Sequence, residues 1–133
     1  MTLVPIPTSK TKTDPNYDDR ILATLRGISP SPGVRVDLRE LIDQSSTRLA
    51  AHDGGSRSIE VLTGAWNIDE TQVKPVPSWI VLFDDVITTG CHFKAASRVL
   101  KDRFPNVRIT GVFIARRVPE ASSFEELFND DDL

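Results

Sequence analysis

The longest unbroken apolar block in the chain is Trp79-Ile80-Val81-Leu82-Phe83. Its β-branched and aromatic residues suit a strand buried on both faces. Asp84 and Asp85 follow at once, and Val86-Ile87 leads into the small turn Thr88-Thr89-Gly90. Phe93, Ala96, Leu100 and Phe104 then recur at spacings of three or four until Pro105, which predicts a helix with a defined stop. Asn106 turns the chain into a second apolar strand, Val107 to Ile114, completing a βαβ unit whose crossover is expected to be right-handed.

Upstream, the pattern is broken into shorter pieces. Thr2-Leu3-Val4-Pro5-Ile6-Pro7 reads as a strand running into a loop. Asp14-Pro15 supplies a capping carboxylate and a first-turn proline, and Tyr17, Ile21 and Leu25 recur every four residues up to Gly27, so a helix is expected there. Val34, Val36 and Leu38 alternate with charged neighbours as in a half-exposed strand, although Asp37 to Gln44 also fits a helical turn. Ile59, Leu62 and Ala65 predict a short helix, with Trp66 to Asp69 continuing as a strand. The expected fold class is α/β: a mostly parallel sheet flanked by helices, with its ligand site outside the carboxyl ends of the strands.

Composition narrows the possibilities. At 133 residues, positions 1–133 are expected to form one domain. A net charge of −3 provides no global basic field for nucleic acid, and Lys101, Arg103, Arg108, Arg116 and Arg117 read as a solvated helix face and strand ends. The single cysteine, Cys91, excludes an internal disulfide and a cysteine-based zinc site. No apolar run reaches membrane-spanning length and the amino terminus has no secretory pattern, so a cytoplasmic protein is expected. Residues 44–58, with Asp53-Gly54-Gly55-Ser56, are the most polar stretch and predict a flexible loop. Phe124, Leu127 and Phe128 form an apolar set expected to dock on the core, and residues 129–133 form an acidic tail.

The candidate chemistry lies in the turn after the apolar strand. The first N–H groups of a helix lack intrahelical partners and sit at the positive end of its dipole. Thr88 to His92 therefore offer an anion site, with Gly90 allowing positive φ or close backbone approach. Asp84 and Asp85 would accept hydrogen bonds from vicinal sugar hydroxyls and hold a magnesium ion directly or through water. The pattern implies a sugar phosphate or nucleotide with a free diol and a nearby metal. An ordinary capped strand-to-helix connection is the plainer alternative for the same residues.

The string Ile80-Val81-Leu82-Phe83-Asp84-Asp85-Val86-Ile87-Thr88-Thr89-Gly90-Cys91-His92 resembles the phosphoribosyl-pyrophosphate (PRPP) motif of type I phosphoribosyltransferases. The resemblance is nearest to the competence-protein-F-like and amidophosphoribosyltransferase-like subgroup. It implies a phosphoribosyltransferase-like core with a reduced hood, in which Asp84 and Asp85 bind the ribose hydroxyls and the Mg2+ shell. Thr88, Thr89, Gly90, Cys91 and His92 would hold the 5-phosphate, although the family usually has a hydroxyl residue where this chain has His92. At Thr88, purine-salvage members carry an Asp thought to act as base, and its replacement argues against the hypoxanthine-guanine subgroup.

The strand Val4-Pro5-Ile6-Pro7 is similar to the one preceding the family's pyrophosphate loop, which assigns pyrophosphate contacts to Ser9 and Lys10. The resemblance also implies a mobile loop from residues 44–58, bringing Arg48, His52 or Arg57 to the pyrophosphate. Arg116 would border the ligand. The implied reaction is transfer of the phosphoribosyl group to a nitrogen nucleophile with release of pyrophosphate; no general base is identified. A non-catalytic PRPP- or nucleotide-binding regulatory module is the alternative. A homodimer that completes the reduced hood is a further expectation.

Overall fold

The computed structural model describes residues 1–8, 10–28, 31–44, 59–87 and 90–116. In chain order its elements are β1 (Thr2–Pro5), α1 (Arg20–Arg26), β2 (Asp37–Leu38), β3 (Ile42–Gln44), α2 (Ile59–Ala65) and β4 (Trp66–Ile68). A 3-10 turn at Glu70–Gln72 follows, then β5 (Trp79–Ile87), α3 (Cys91–Arg103) and β6 (Arg108–Arg116). Four strands make an all-parallel sheet in the order β2-β1-β5-β6, while β3 and β4 pair antiparallel in a second, two-stranded sheet. The architecture is α/β, with helices packed on both faces of a parallel sheet.

The alternation of side chains in β1 and β5 divides the core in two. Val4, Ile80 and Leu82 point to one face, where they meet Leu62 of α2, Trp66 of β4 and Ala95, Ala96 and Leu100 of α3. Leu3 and Val81 point to the other face and pack on Leu25 of α1, with Ile21, Trp79 and Phe83 alongside. The first cluster is much the larger because two helices and the small sheet close over it. Polar groups taken into it are paired: Trp66 Nε1 donates to Gln44 Oε1 at 2.6 Å across the β3–β4 pair, as a buried indole requires.

The edge at β2 is fastened by a buried arginine. Arg39 donates to the Asp37 carboxylate, to Gln72 O at 3.2 Å and to Pro75 O at 2.7 Å. Burial of a guanidinium is tolerated only with its donors satisfied, and here they join the strand edge to the chain that leads into β5.

Three elements differ in extent from the sequence pattern. The helix expected from Asp14 begins at Arg20. Asp14 closes a turn instead, its Oδ1 accepting the Asn16 N–H at 2.8 Å; an Asx turn offers this backbone a competing partner to a helix. Asp37 to Gln44 is two short strands and not a helical turn, and the β2 ladder includes only Asp37 and Leu38. The strand expected to end at Phe83 runs on through both aspartates to Ile87, because β6 pairs with it as far as Ile87↔Arg116. The central helix and the short helix at Ile59–Ala65 match the spacing that predicts them. Residues 44–58 lie beyond the described residues except for Gln44, and the 117–133 tail lies wholly beyond them.

Gly111 sets how closely α3 lies on the sheet. A methyl group at that position would sit 2.7 Å from Phe93 Cε2 and 2.9 Å from Phe113 Cε2. The two rings meet edge to face at 6.0 Å between centroids, and Phe93 belongs to the first turn of α3. Gly111→Ala is expected to lower stability by about 1–2 kcal/mol through overpacking, read as a fall in denaturant midpoint with unchanged slope. A midpoint equal to wild type would mean that Phe93 swings aside freely.

Candidate functional site at the carboxyl end of the sheet

Strand order and chain order together locate a crevice. From β1 the chain passes through α1 to β2, on one side of the sheet; from β5 it passes through α3 to β6, on the other. The boundary between β1 and β5 is therefore the point where connections diverge. In open parallel sheets this is where ligands bind, outside the strand carboxyl ends. The two strands separate there: Ile6 N–H still donates to Phe83 O at 2.9 Å, after which one chain enters the loop before Lys12 and the other continues to Asp84.

Asp84 and Asp85 lie on the last part of β5, which is paired only with β6 at that height. The Asp85 N–H donates to Asp84 Oδ1 at 2.8 Å, and the Val86 N–H donates to Asp85 Oδ1 at 2.7 Å. Burial pushes the Asp84 carboxyl up to about 7, reinforced by a hydrogen bond with the Asp85 carboxyl and by its charge; the Asp85 N–H bond opposes the shift only in part. No lysine or arginine contributes to that shift. A carboxyl held in this way favours either a proton or a cation.

Beyond the strand, Gly90 stands at the N-cap of α3 with φ of 80°, the left-handed conformation that glycine adopts without steric cost. The first helical backbone bond runs from Lys94 N–H to Gly90 O at 2.9 Å. Cys91 and His92, expected in the loop, form the first turn of the helix. His92 is exposed, and its ring lies 6.2 Å from that of Trp66 in a tilted contact. The positive end of a thirteen-residue helix thus stands at the same end of the sheet as the aspartates. Thr88 and Thr89 are outside the described residues.

On the neighbouring strand, Thr8 Oγ1 donates to Lys10 O at 3.3 Å and accepts from Lys10 N–H at 3.4 Å, drawing residues 8–10 into a tight turn. Lys10 is partly exposed beside this turn; Ser9 is outside the described residues, as are Arg48, His52 and Arg57. Arg116 ends β6, exposed, next to Ile87.

A second group of side chains lies next to that turn, and the sequence gave no signal for it. Lys12 pairs with Glu40 at 3.0 Å, and a narrow cleft beside them is lined by Pro5, Pro7, Tyr17, Glu40 and Asp43 among others. Partial burial pulls the Lys12 ammonium down, but its hydrogen bond to Glu40 and the charges of Glu40 and Asp43 outweigh it and leave the pKa raised. Partial burial, followed by the Glu40 charge, also raises the Tyr17 phenol. Lys12 and Glu40 are far apart in sequence and share no motif, so only the fold brings them together.

For a metal, the donors at the crevice are hard carboxylate oxygens, which fit Mg2+ or Ca2+ and not a soft ion. Among the described residues no group of three or more His, Cys, Asp or Glu gathers as a cage. Two carboxylates suit Mg2+, which keeps several waters and completes its shell with substrate phosphates. No described helix is long and apolar enough to cross a membrane. No family model matches the chain, and no curated protein or solved structure resembles it significantly.

The Asp84 carboxyl has a consequence for stability. The folded chain keeps that proton to about pH 7, whereas the reference carboxyl releases it at 3.8. Native protein therefore binds more protons than unfolded protein between those values, and stability falls as pH rises through this window. The loss attributable to this group is up to about 4 kcal/mol. Asp84→Asn is expected to be more stable than wild type above pH 7 and to converge with it near pH 4, measured by urea unfolding across that range. Parallel pH profiles for the two proteins would remove the burial argument.

Proposed function

We propose that the chain is a phosphoribosyltransferase-like protein that binds PRPP with Mg2+ in the β1–β5 crevice and transfers the phosphoribosyl group to a nitrogen nucleophile. The observation that carries the reading is the meeting of three features at one switch point. An acidic pair on β5, the glycine-led start of α3 and the Thr8–Lys10 turn after β1 all stand at the carboxyl ends of adjacent parallel strands. The resemblance of Ile80 to His92 to the family motif supplies the ligand class.

In this reading Asp84 and Asp85 accept hydrogen bonds from the ribose hydroxyls and belong to the metal shell. Backbone N–H groups from Thr88 to His92, with the threonine hydroxyls, hold the 5-phosphate. A ring replaces the family's usual hydroxyl at His92 and rests beside Trp66; the contribution assigned to this position is that of its backbone. Ser9 and Lys10 meet the pyrophosphate by backbone amides and by charge. Bound Mg2+ would neutralise charge on the pyrophosphate as it leaves.

The reaction breaks the bond from the anomeric carbon to pyrophosphate and forms one to nitrogen, whose proton passes to solvent. Its transition state resembles an oxocarbenium ion, so positioning and charge stabilisation on the leaving group dominate catalysis. The acidic pair restrains the ribose while the Thr8–Lys10 turn and the N-terminus of α3 hold the two phosphate ends apart.

Calorimetric titration of PRPP tests the reading. Binding is expected with Mg2+ and to be much weaker without it. Asp84→Asn combined with Asp85→Asn is expected to weaken binding by at least roughly 100-fold, since two charge-assisted hydrogen bonds are lost, while the variant stays folded. Unaltered affinity in that double variant would exclude the assigned site. Pyrophosphate release on addition of pooled bases and amines separates turnover from binding alone.

A further inference from the structure

The face of the sheet that carries α1 is covered unevenly. Helix α1 packs on Leu3 and Val81, at β1 and β5, and no described element lies over β6 on that side. Alternation along β6 presents Arg108, Thr110, Val112, Ile114 and Arg116 to this face. The lower part is closed by side chains: Trp79 Nε1 donates to Thr110 Oγ1 at 3.1 Å, and the Arg108 guanidinium lies 4.9 Å from the Trp79 ring centroid. Above it, Val112 is 42% exposed and Ile114 is 65% exposed. A parallel sheet ordinarily buries both faces, so this strip of two aliphatic residues between two arginines is an unfinished layer.

We infer that the chain completes this layer itself: residues 117–133 fold back along β6, with Phe124, Leu127 and Phe128 seated on Val112 and Ile114. The segment leaves β6 directly from Arg116, and its apolar residues fall at the i, i+3, i+4 spacing of one helical face. Ser123 followed three residues later by Glu126 has the form of a capping box, which would start a turn just before that face. Length permits the return. Residues 117–123 can span roughly 23 Å when extended, more than the two to four strand positions, roughly 7–13 Å, between Arg116 and the aliphatic pair.

Charge complements the apolar match. Glu120, Glu125, Glu126 and Asp130-Asp131-Asp132 give the tail a strong negative balance, opposite a strip bounded by Arg116 and Arg108. A segment running back from Arg116 carries its aspartate run toward Arg108 after Phe128 has passed Val112. Covalent attachment also favours this occupant over a second molecule, because a short tether gives an effective concentration in the millimolar range. The inference does not depend on the ligand proposed for the crevice.

The test is a cysteine pair in the full-length chain. In a Cys91→Ser background, Ile114→Cys with Leu127→Cys is oxidised under mild conditions at low protein concentration. A disulfide within one chain is expected, identified by non-reducing electrophoresis and peptide mass. A covalent dimer would overturn the inference in favour of a second copy on this face, and no cross-link in the folded protein would overturn it outright. A second variant avoids engineered thiols: Phe124→Ser, Leu127→Ser and Phe128→Ser together are expected to raise binding of an apolar fluorescent dye several-fold and lower Tm. Dye binding and Tm equal to wild type would likewise reject the tail as the cover.

Discussion

The parallel pairing of β1 with β5 is the constraint on which the remaining structure rests. It brings Thr2 beside Ile80 and Pro5 beside Phe83, two segments that are distant in sequence and buried on both faces. Because the pairing is parallel, both strands end in the same direction and release their loops into one crevice. Because β1 connects toward β2 and β5 toward β6, the helices that follow them pack on opposite faces and leave that crevice open. An antiparallel pairing of the same two strands would send the Lys10 turn and the Asp84-Asp85 pair to opposite ends of the molecule.

The acidic pair works against the stability of the fold that presents it. Asp84 extends a strand whose preceding residues are aliphatic, on a face that is otherwise core, and it has no cation to offset its charge. Residues placed at binding sites commonly carry such a cost, which a stabilising substitution removes together with the function. A cation and a polyol arriving at the crevice would satisfy the carboxylates that the polypeptide leaves uncompensated. The site is electrostatically asymmetric: acids on β5, the positive end of α3 beyond them, and lysines on the loop after β1.

Much of this was legible in the amino-acid order, for physical reasons that differ between segments. Trp79 to Phe83 could only be a buried strand, and Phe93 to Phe104 has the period of a helix face, so the central βαβ unit followed from pattern alone. The end of β5 did not, because two aspartates read as a break whereas β6 supplies ladder partners that sequence cannot display. The start of α1 was misjudged because a proline preceded by aspartate signals a turn as readily as a helix; the Asn16 N–H goes to Asp14 and the helix waits until Arg20. Pairing of Lys12 with Glu40 depends wholly on how β1, α1 and β3 converge, and no local rule anticipates it.

The strand order also bears on how the protein is made. Synthesis delivers β1 first, yet its main partner, β5, is encoded near residue 80; until then β1 can pair only with the two residues of β2. At bacterial or eukaryotic translation speeds the wait is roughly 4–16 s, long compared with the microseconds in which a hairpin closes. Throughout that interval Leu3, Val4 and Ile6 lack the surfaces that bury them in the finished molecule. The nascent chain is thus most exposed to misassociation before Phe83 has left the ribosome, and the sheet closes late, in one step that joins its first strand to its longest.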